Sequence, residues 1–264
     1  MSYTLSAAKL QTYYRCPQAY YFRYERKIQG AAFFSSAALG ISLHQALARI
    51  YQDWHYHDPI PEFDWIEQCW NQQTKELTAN QISEGRAILR RYYTTFIANQ
   101  CPMRKPRAVE GRIQGSLWVE NMEFTLSGRY DRIDYLDDGL ELIDYKSAKE
   151  VEAPEPDEID LQIGVYYLAL EQRYRRSLKR MSLLYLRTGD KISFEATPEH
   201  RQHVQAVIGD LALQLRYDQR WLPFPGDQCD RCAYSRYCPA IHPEPEPLPE
   251  EAKPKEGLQL VLSL

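Results

Sequence analysis

The chain has 264 residues, enough for one large domain or two small ones at roughly 150 residues each. Its 44% hydrophobic, 26% charged and 12% aromatic content describes a soluble globular protein, and no apolar stretch approaches the roughly 18 residues of a membrane helix. The formal charge of −4 gathers at the end, where residues 241–264 carry five Glu and two Lys, and leaves the remainder close to neutral.

The opening MSYTLSAAKL lacks the apolar core of a secretion signal, which predicts a cytoplasmic protein with reduced cysteines. Ser6 reads as the N-cap of a short helix ending near Tyr14, and Cys16-Pro17 starts a second helix, rich in Tyr and Phe, through about Lys27. Helical patterns follow near 37–56, 62–78 and 82–100. From Arg107 the period changes to two: a strand through Ile113, Leu117 and Val119, a turn at Asn121-Met122, then a strand from Phe124 to Tyr135. Asp137-Asp138-Gly139 turns into a strand from Leu140 to Lys146, and a loop with Pro154 and Pro156 precedes a helix from about Asp157 to Tyr174. Strands near 181–187 and 191–196 precede a last helix from about Pro198 to Tyr217. The order predicts an α/β core with an N-terminal helical part.

After Cys238 the sequence HPEPEPLPEEAKPKEG reads as a disordered linker. It ends in a segment where Leu258, Leu260, Leu262 and Leu264 alternate with other residues, suited to adding a strand to a partner's sheet. Two basic runs stand out: six basic and no acidic residues in Arg86–Arg107, and six basic residues against one Glu in Glu171–Arg187. They read either as solvated helix faces or as a phosphate-tracking groove. The rings of Tyr13, Tyr14, Tyr20, Tyr21 and Phe22 suit core packing or base stacking.

The strands at 124–135 and 140–146 carry the chemistry. Asp131 lies near the end of the first; Asp144 and Lys146, two apart on the second, share a face while Tyr145 points away. Two carboxylates on neighbouring strands can hold Mg²⁺ or Mn²⁺, and an adjacent ammonium can orient water, which outlines a phosphodiester-hydrolysing site. A surface ion pair is the plainer reading of Asp-x-Lys. Gln162 and Tyr166 share a helix face, as do Gly40 and His44. The cysteines form a second pattern: Cys229-x-x-Cys232-x5-Cys238, with Cys16 some 213 positions upstream of Cys229. Four thiolates suit zinc or an iron-sulfur cluster, and spacing alone does not separate them. Cys69 and Cys101 lie outside that set and read as ordinary thiols.

In order, GISLH at 40–44, GRYD at 128–131, DYK at 144–146 and QIGVY at 162–166 resemble the motifs of the PD-(D/E)XK nuclease superfamily, in its RecB-like branch. The resemblance covers about residues 4–240 and implies a restriction-endonuclease-like core, a mixed central sheet flanked by helices. It implies His44, Asp131, Asp144 and the Tyr145 carbonyl as ligands of Mg²⁺ or Mn²⁺, Lys146 as the catalytic lysine, and Gln162 and Tyr166 as residues supporting the site and DNA. The segments TYYRCPQAYYFRY and GDQCDRCAYSRYCP resemble those of the AddB nuclease domain and of CRISPR-associated adaptation nucleases. That likeness implies a 4Fe-4S cluster on Cys16, Cys229, Cys232 and Cys238, a clasp joining the ends of the folded part.

The expectation is therefore a nuclease domain over 1–240 and a tail over 241–264, a metal-dependent deoxyribonuclease, exonuclease by preference, in DNA repair or recombination. CRISPR adaptation, mobile-element defence and a non-catalytic DNA- or partner-binding module are the alternatives. DNA is the expected partner, with single strands among the candidate substrates. With no Gly-x4-Gly-Lys-[Ser/Thr] in the 264 residues, a helicase or other protein would act in trans.

Overall fold

The computed structural model describes residues 3–28, 34–99, 102–148, 151 and 156–249. The chain forms two compact units, one of Met1–Gln11 with Phe33–Arg216, the other of Thr12–Ala32 with Tyr217–Leu264. Cys101, the loop around Pro154 and the alternating leucines at 258–264 lie outside the described residues.

The larger unit is built on a six-stranded mixed sheet. Its strands are β1 (Tyr3–Leu5), β2 (Ala108–Val119), β3 (Met122–Leu136), β4 (Gly139–Lys146), β5 (Leu178–Tyr185) and β6 (Asp190–Glu195). β3 pairs antiparallel with β2 and β4, and parallel with β1; β4 pairs parallel with β5, which pairs antiparallel with β6. The β2–β3 turn falls at Glu120-Asn121, both with positive φ (47° and 66°), one residue earlier than expected, because Met122 already pairs with Val119. Parallel β4 and β5 need a crossover, supplied by α6 (Pro156–Tyr174).

Strand alternation divides the core. Leu140 and Leu142 face Ile163, Tyr167 and Leu170 of α6, whereas Ile143 and Tyr145 face the helices α3 (Phe34–Gln52), α4 (Phe63–Asn71) and α5 (Ala79–Tyr92). α4 ends at Asn71, well short of the expected 78, because Thr78 instead opens α5 through a capping box with Gln81. The basic runs are largely engaged within this unit. Arg86 and Arg90 face Glu67 at 3.2 and 3.9 Å, Arg187 pairs with Glu84, Lys179 faces Asp138 at 3.7 Å, and Arg107 lies over the Tyr174 ring.

Lys9 donates from its backbone to Ser6 Oγ, as expected at the start of α1 (Ala7–Arg15). In the smaller unit, α2 (Pro17–Tyr20) continues into one wide helical turn, Tyr21–Glu25, rather than a regular helix to Lys27. Tyr13, Tyr20 and Phe22 are buried, and Tyr20 and Tyr21 stack with Trp221, so these rings pack; Tyr14 is exposed. The start of the Pro- and Glu-rich stretch is held in place: the Glu246 N–H donates to the Arg236 carbonyl at 2.9 Å, and Leu248 packs against a cluster containing Phe22 and Tyr237. No helix among the described residues is long and apolar enough to cross a membrane.

Candidate active site

The site forms where β3 and β4 part. Their last paired residues are Arg132 and Ile143, so Asp131 and Asp144 stand at the next rung, beyond the ladder. On the other edge of β3, the pairs Val109–Arg132 and Gly111–Tyr130 bracket Glu110 and Asp131. Glu110, Asp131 and Asp144 thus occupy one rung of three adjacent strands. Glu110 leaves the regular ladder with φ 40°, a left-handed conformation that costs a non-glycine residue about 1–2 kcal/mol. Across the opening, α3 supplies His44, whose Nδ1 is 3.1 Å from Asp131 Oδ1. The other Asp131 oxygen, Oδ2, accepts the Tyr145 N–H at 2.7 Å in place of a ladder bond.

Two motif glycines permit these approaches. A Cβ on Gly40 would lie 2.7 Å from Ser147 Oγ, so its absence lets α3 approach the chain just beyond Lys146. A Cβ on Gly128 would lie 2.6 Å from the Tyr166 ring, which sits there while its hydroxyl donates to the Arg129 carbonyl. Tyr166 is buried, and the charges of Asp144 and Asp131 reinforce burial in pushing its pKa up. Gln162 lies one turn earlier on α6, on the same helix face.

Electrostatically the rung favours added positive charge. Burial pulls the His44 pKa down, but the hydrogen bond and charge of Asp131, with Asp144 and Glu110 adding, outweigh it and raise the imidazole above its ordinary value. Burial raises Asp144; Lys146 opposes that and Asp131 adds to it. Glu110 is raised by burial and then by Asp131, against His44 and Arg129, the latter 3.6 Å away. Asp144 Oδ2 is shielded from solvent and forms an ion pair with Lys146 Nζ without a well-directed hydrogen bond.

One ligand atom each from His44, Glu110 and Asp131 lies within 4.8 Å of the others. Like charges directly opposite on neighbouring strands destabilise a sheet unless a cation compensates them. An imidazole with carboxylate oxygens suits Mn²⁺ or Mg²⁺, so the residues present fit a divalent ion. The cluster opens on a cavity of about 1070 Å³, also lined by Arg129, Arg49 and Ser147. Sequence reasoning missed Glu110. Its signal was its place on a strand antiparallel to the one bearing Asp131.

In the smaller unit, Cys16, Cys229, Cys232 and Cys238 line one cavity of about 240 Å³. Burial raises the Cys232 pKa, a Tyr234 N–H opposes it, and the charges of Cys16, Cys229 and Cys238 add to it. The backbone N–H groups of Phe224 and Gly226 donate to the sulfurs of Cys16 and Cys229, each at 3.5 Å. Among the described cysteines none forms a disulfide, and Cys69 is buried in the core of the larger unit.

A family model described as the PD-(D/E)XK nuclease superfamily matches residues 4–239. One subunit of the ATP-dependent helicase/deoxyribonuclease of Carboxydothermus hydrogenoformans is 27% identical over 176 positions, covering 55% of this chain and 16% of that protein's length. Among solved structures, a candidate exonuclease from Eubacterium rectale superposes with a TM-score of 0.49 at 12% identity, covering 88% of each chain. The protein SSO0001 gives 0.46 at 15% identity, covering 92% of this chain and 89% of its own.

Proposed function

This chain belongs to the PD-(D/E)XK nuclease superfamily, and on that footing we propose that it is a Mg²⁺- or Mn²⁺-dependent deoxyribonuclease, acting as an exonuclease in DNA repair or recombination. The observation that supports this reading best is the single rung of Glu110, Asp131 and Asp144, capped by His44, with Lys146 two residues past Asp144 on the same face. His44, Asp131 and Asp144 would hold the ion, with the Tyr145 carbonyl as a further ligand and Glu110 as an additional one. When bound, the ion would polarise the phosphodiester and make water a better nucleophile. Lys146 would orient that water and offset charge developing on the phosphate, while Asp144 keeps the ammonium in place. Tyr166 holds the β3 main chain at Arg129, next to Asp131.

The four cysteines of the smaller unit would hold a 4Fe-4S cluster as a structural clasp. Convergence of the thiols and two N–H groups aimed at sulfur support that assignment, because hydrogen bonds to sulfur tune such clusters. The curated relative is named as part of a helicase/deoxyribonuclease, and this chain spans 16% of its length. A separate helicase partner is the corresponding proposal here.

The test is cleavage of DNA labelled at either end, single- and double-stranded, in chelator and after adding back Mg²⁺ or Mn²⁺. Metal-restored release of label from one end supports exonuclease action. Cleavage unaffected by chelator contradicts the metal assignment, and no cleavage of any DNA contradicts the nuclease reading.

A further inference from the structure

The alternation that aims Asp131, Asp144 and Lys146 at one face of the sheet sends Arg132 and Tyr145 to the other. There Arg132 is 7% exposed. Its Nε donates to Asp134 Oδ2 at 3.1 Å, and its Nη2 forms an ion pair with the same oxygen at 3.0 Å. Its Nη1 donates to the hydroxyls of Tyr92 at 2.8 Å and Tyr145 at 3.0 Å. The guanidinium lies over the Tyr51 ring, 4.2 Å from its centroid, and the Tyr51 and Tyr92 hydroxyls share a hydrogen bond at 2.8 Å.

Such a buried charge contributes little stability relative to a well-packed apolar residue, so energy alone does not account for it. Geometry does. A planar fork can satisfy a carboxylate on one side and two phenols on another, which a lysine cannot. Of those phenols, Tyr145 reaches the active site: its N–H donates to Asp131 Oδ2 at 2.7 Å, and its ring meets the His44 ring edge-on at 5.7 Å. It is also the residue between Asp144 and Lys146.

We propose that Arg132 is a positioning residue of the metal site, which, by holding the Tyr145 hydroxyl, fixes the main chain between Asp144 and Lys146 and with it the carboxylate of Asp131. This inference rests on the divalent-metal reading given above. A displacement of the Tyr145 peptide moves Asp131, Asp144 and Lys146 together, and catalytic constellations lose about 100-fold for errors near 1 Å.

The test uses the full chain with Tyr145→Phe, which removes one hydroxyl and keeps the ring, together with Arg132→Lys and Arg132→Met. Mn²⁺ affinity is measured by calorimetry without DNA, DNA affinity in chelator, and folding by thermal melts. The expected result is folded Tyr145→Phe and Arg132→Lys variants whose Mn²⁺ affinity falls about 10–100-fold, with DNA affinity in chelator unchanged. Folded variants with wild-type Mn²⁺ affinity would overturn the proposal and leave Arg132 a core residue. If the Arg132 variants fail to fold, Tyr145→Phe decides alone. A wild type that binds no Mn²⁺ overturns the metal reading itself, a separate result.

Discussion

Glu110 stands opposite Asp131 on the neighbouring strand, with one ligand atom of each within 4.8 Å of the other and of His44. Two carboxylates so placed repel, and Glu110 also holds a strained φ of 40° there. A divalent ion between them would turn that repulsion into ligation. Glu110→Gln, which keeps shape and removes charge, is expected to weaken Mn²⁺ binding by about tenfold or more, read by calorimetry. Unchanged affinity would remove Glu110 from the site.

On the proposed reading Asp144 and Lys146 serve the ion and the attacking water, and neither belongs to the apolar clusters of the core. Asp144→Ala and Lys146→Ala are each expected to abolish hydrolysis of labelled DNA, with melting temperatures close to wild type. His44→Ala is expected to lower activity with Mn²⁺ and with Mg²⁺, since it removes a proposed ligand of the ion. Full activity in either Asp144→Ala or Lys146→Ala would sink the catalytic assignment.

Much of this site was legible because strand periodicity is local. Asp144 and Lys146 had to share a face whatever their neighbours, and Asp131 had to sit on an adjacent strand. Glu110 was hidden by a single residue. A turn placed at Asn121-Met122 sets Asp131 opposite Arg112, whereas the actual turn at Glu120-Asn121, with both residues at positive φ, sets it opposite Glu110. The network around Arg132 was not legible either, because Tyr51 and Tyr92 come from α3 and α5, and their meeting is a product of tertiary packing. The early end of α4 could have been read from the Thr78–Gln81 capping pair, which opens a new helix inside a continuous apolar pattern.

For the smaller unit, a brown anaerobic preparation carrying about four irons and about four sulfides per chain is expected. Cys16→Ala and Cys238→Ala should each lose the colour and lower solubility, because in the proposed cluster each thiol would tie a different segment of that unit. A colourless wild type containing zinc would replace the iron assignment.

Away from both sites, Glu141 supplies a pH dependence. Burial alone would raise its carboxyl, but Lys191, 2.7 Å away, and the Ser182 hydroxyl more than offset this and hold it below the ordinary value. A carboxylate lowered in the folded state stabilises above its unfolded value, and that contribution is lost as pH falls through the folded one. Glu141→Gln is therefore expected to lose about 1–3 kcal/mol in urea unfolding at neutral pH. The gap from wild type should narrow as pH drops through the carboxylate range; a gap independent of pH would contradict a stabilising ion pair.

Whether a divalent ion sits on the rung is decided by the anomalous scattering of manganese in crystals of the full chain grown with Mn²⁺. A peak is expected at the rung of Glu110, Asp131 and Asp144, beside His44, with a water coordinated to it on the side of Lys146. Crystals saturated with Mn²⁺ that show no manganese at this rung, or show it only elsewhere, would contradict the metal-dependent nuclease reading.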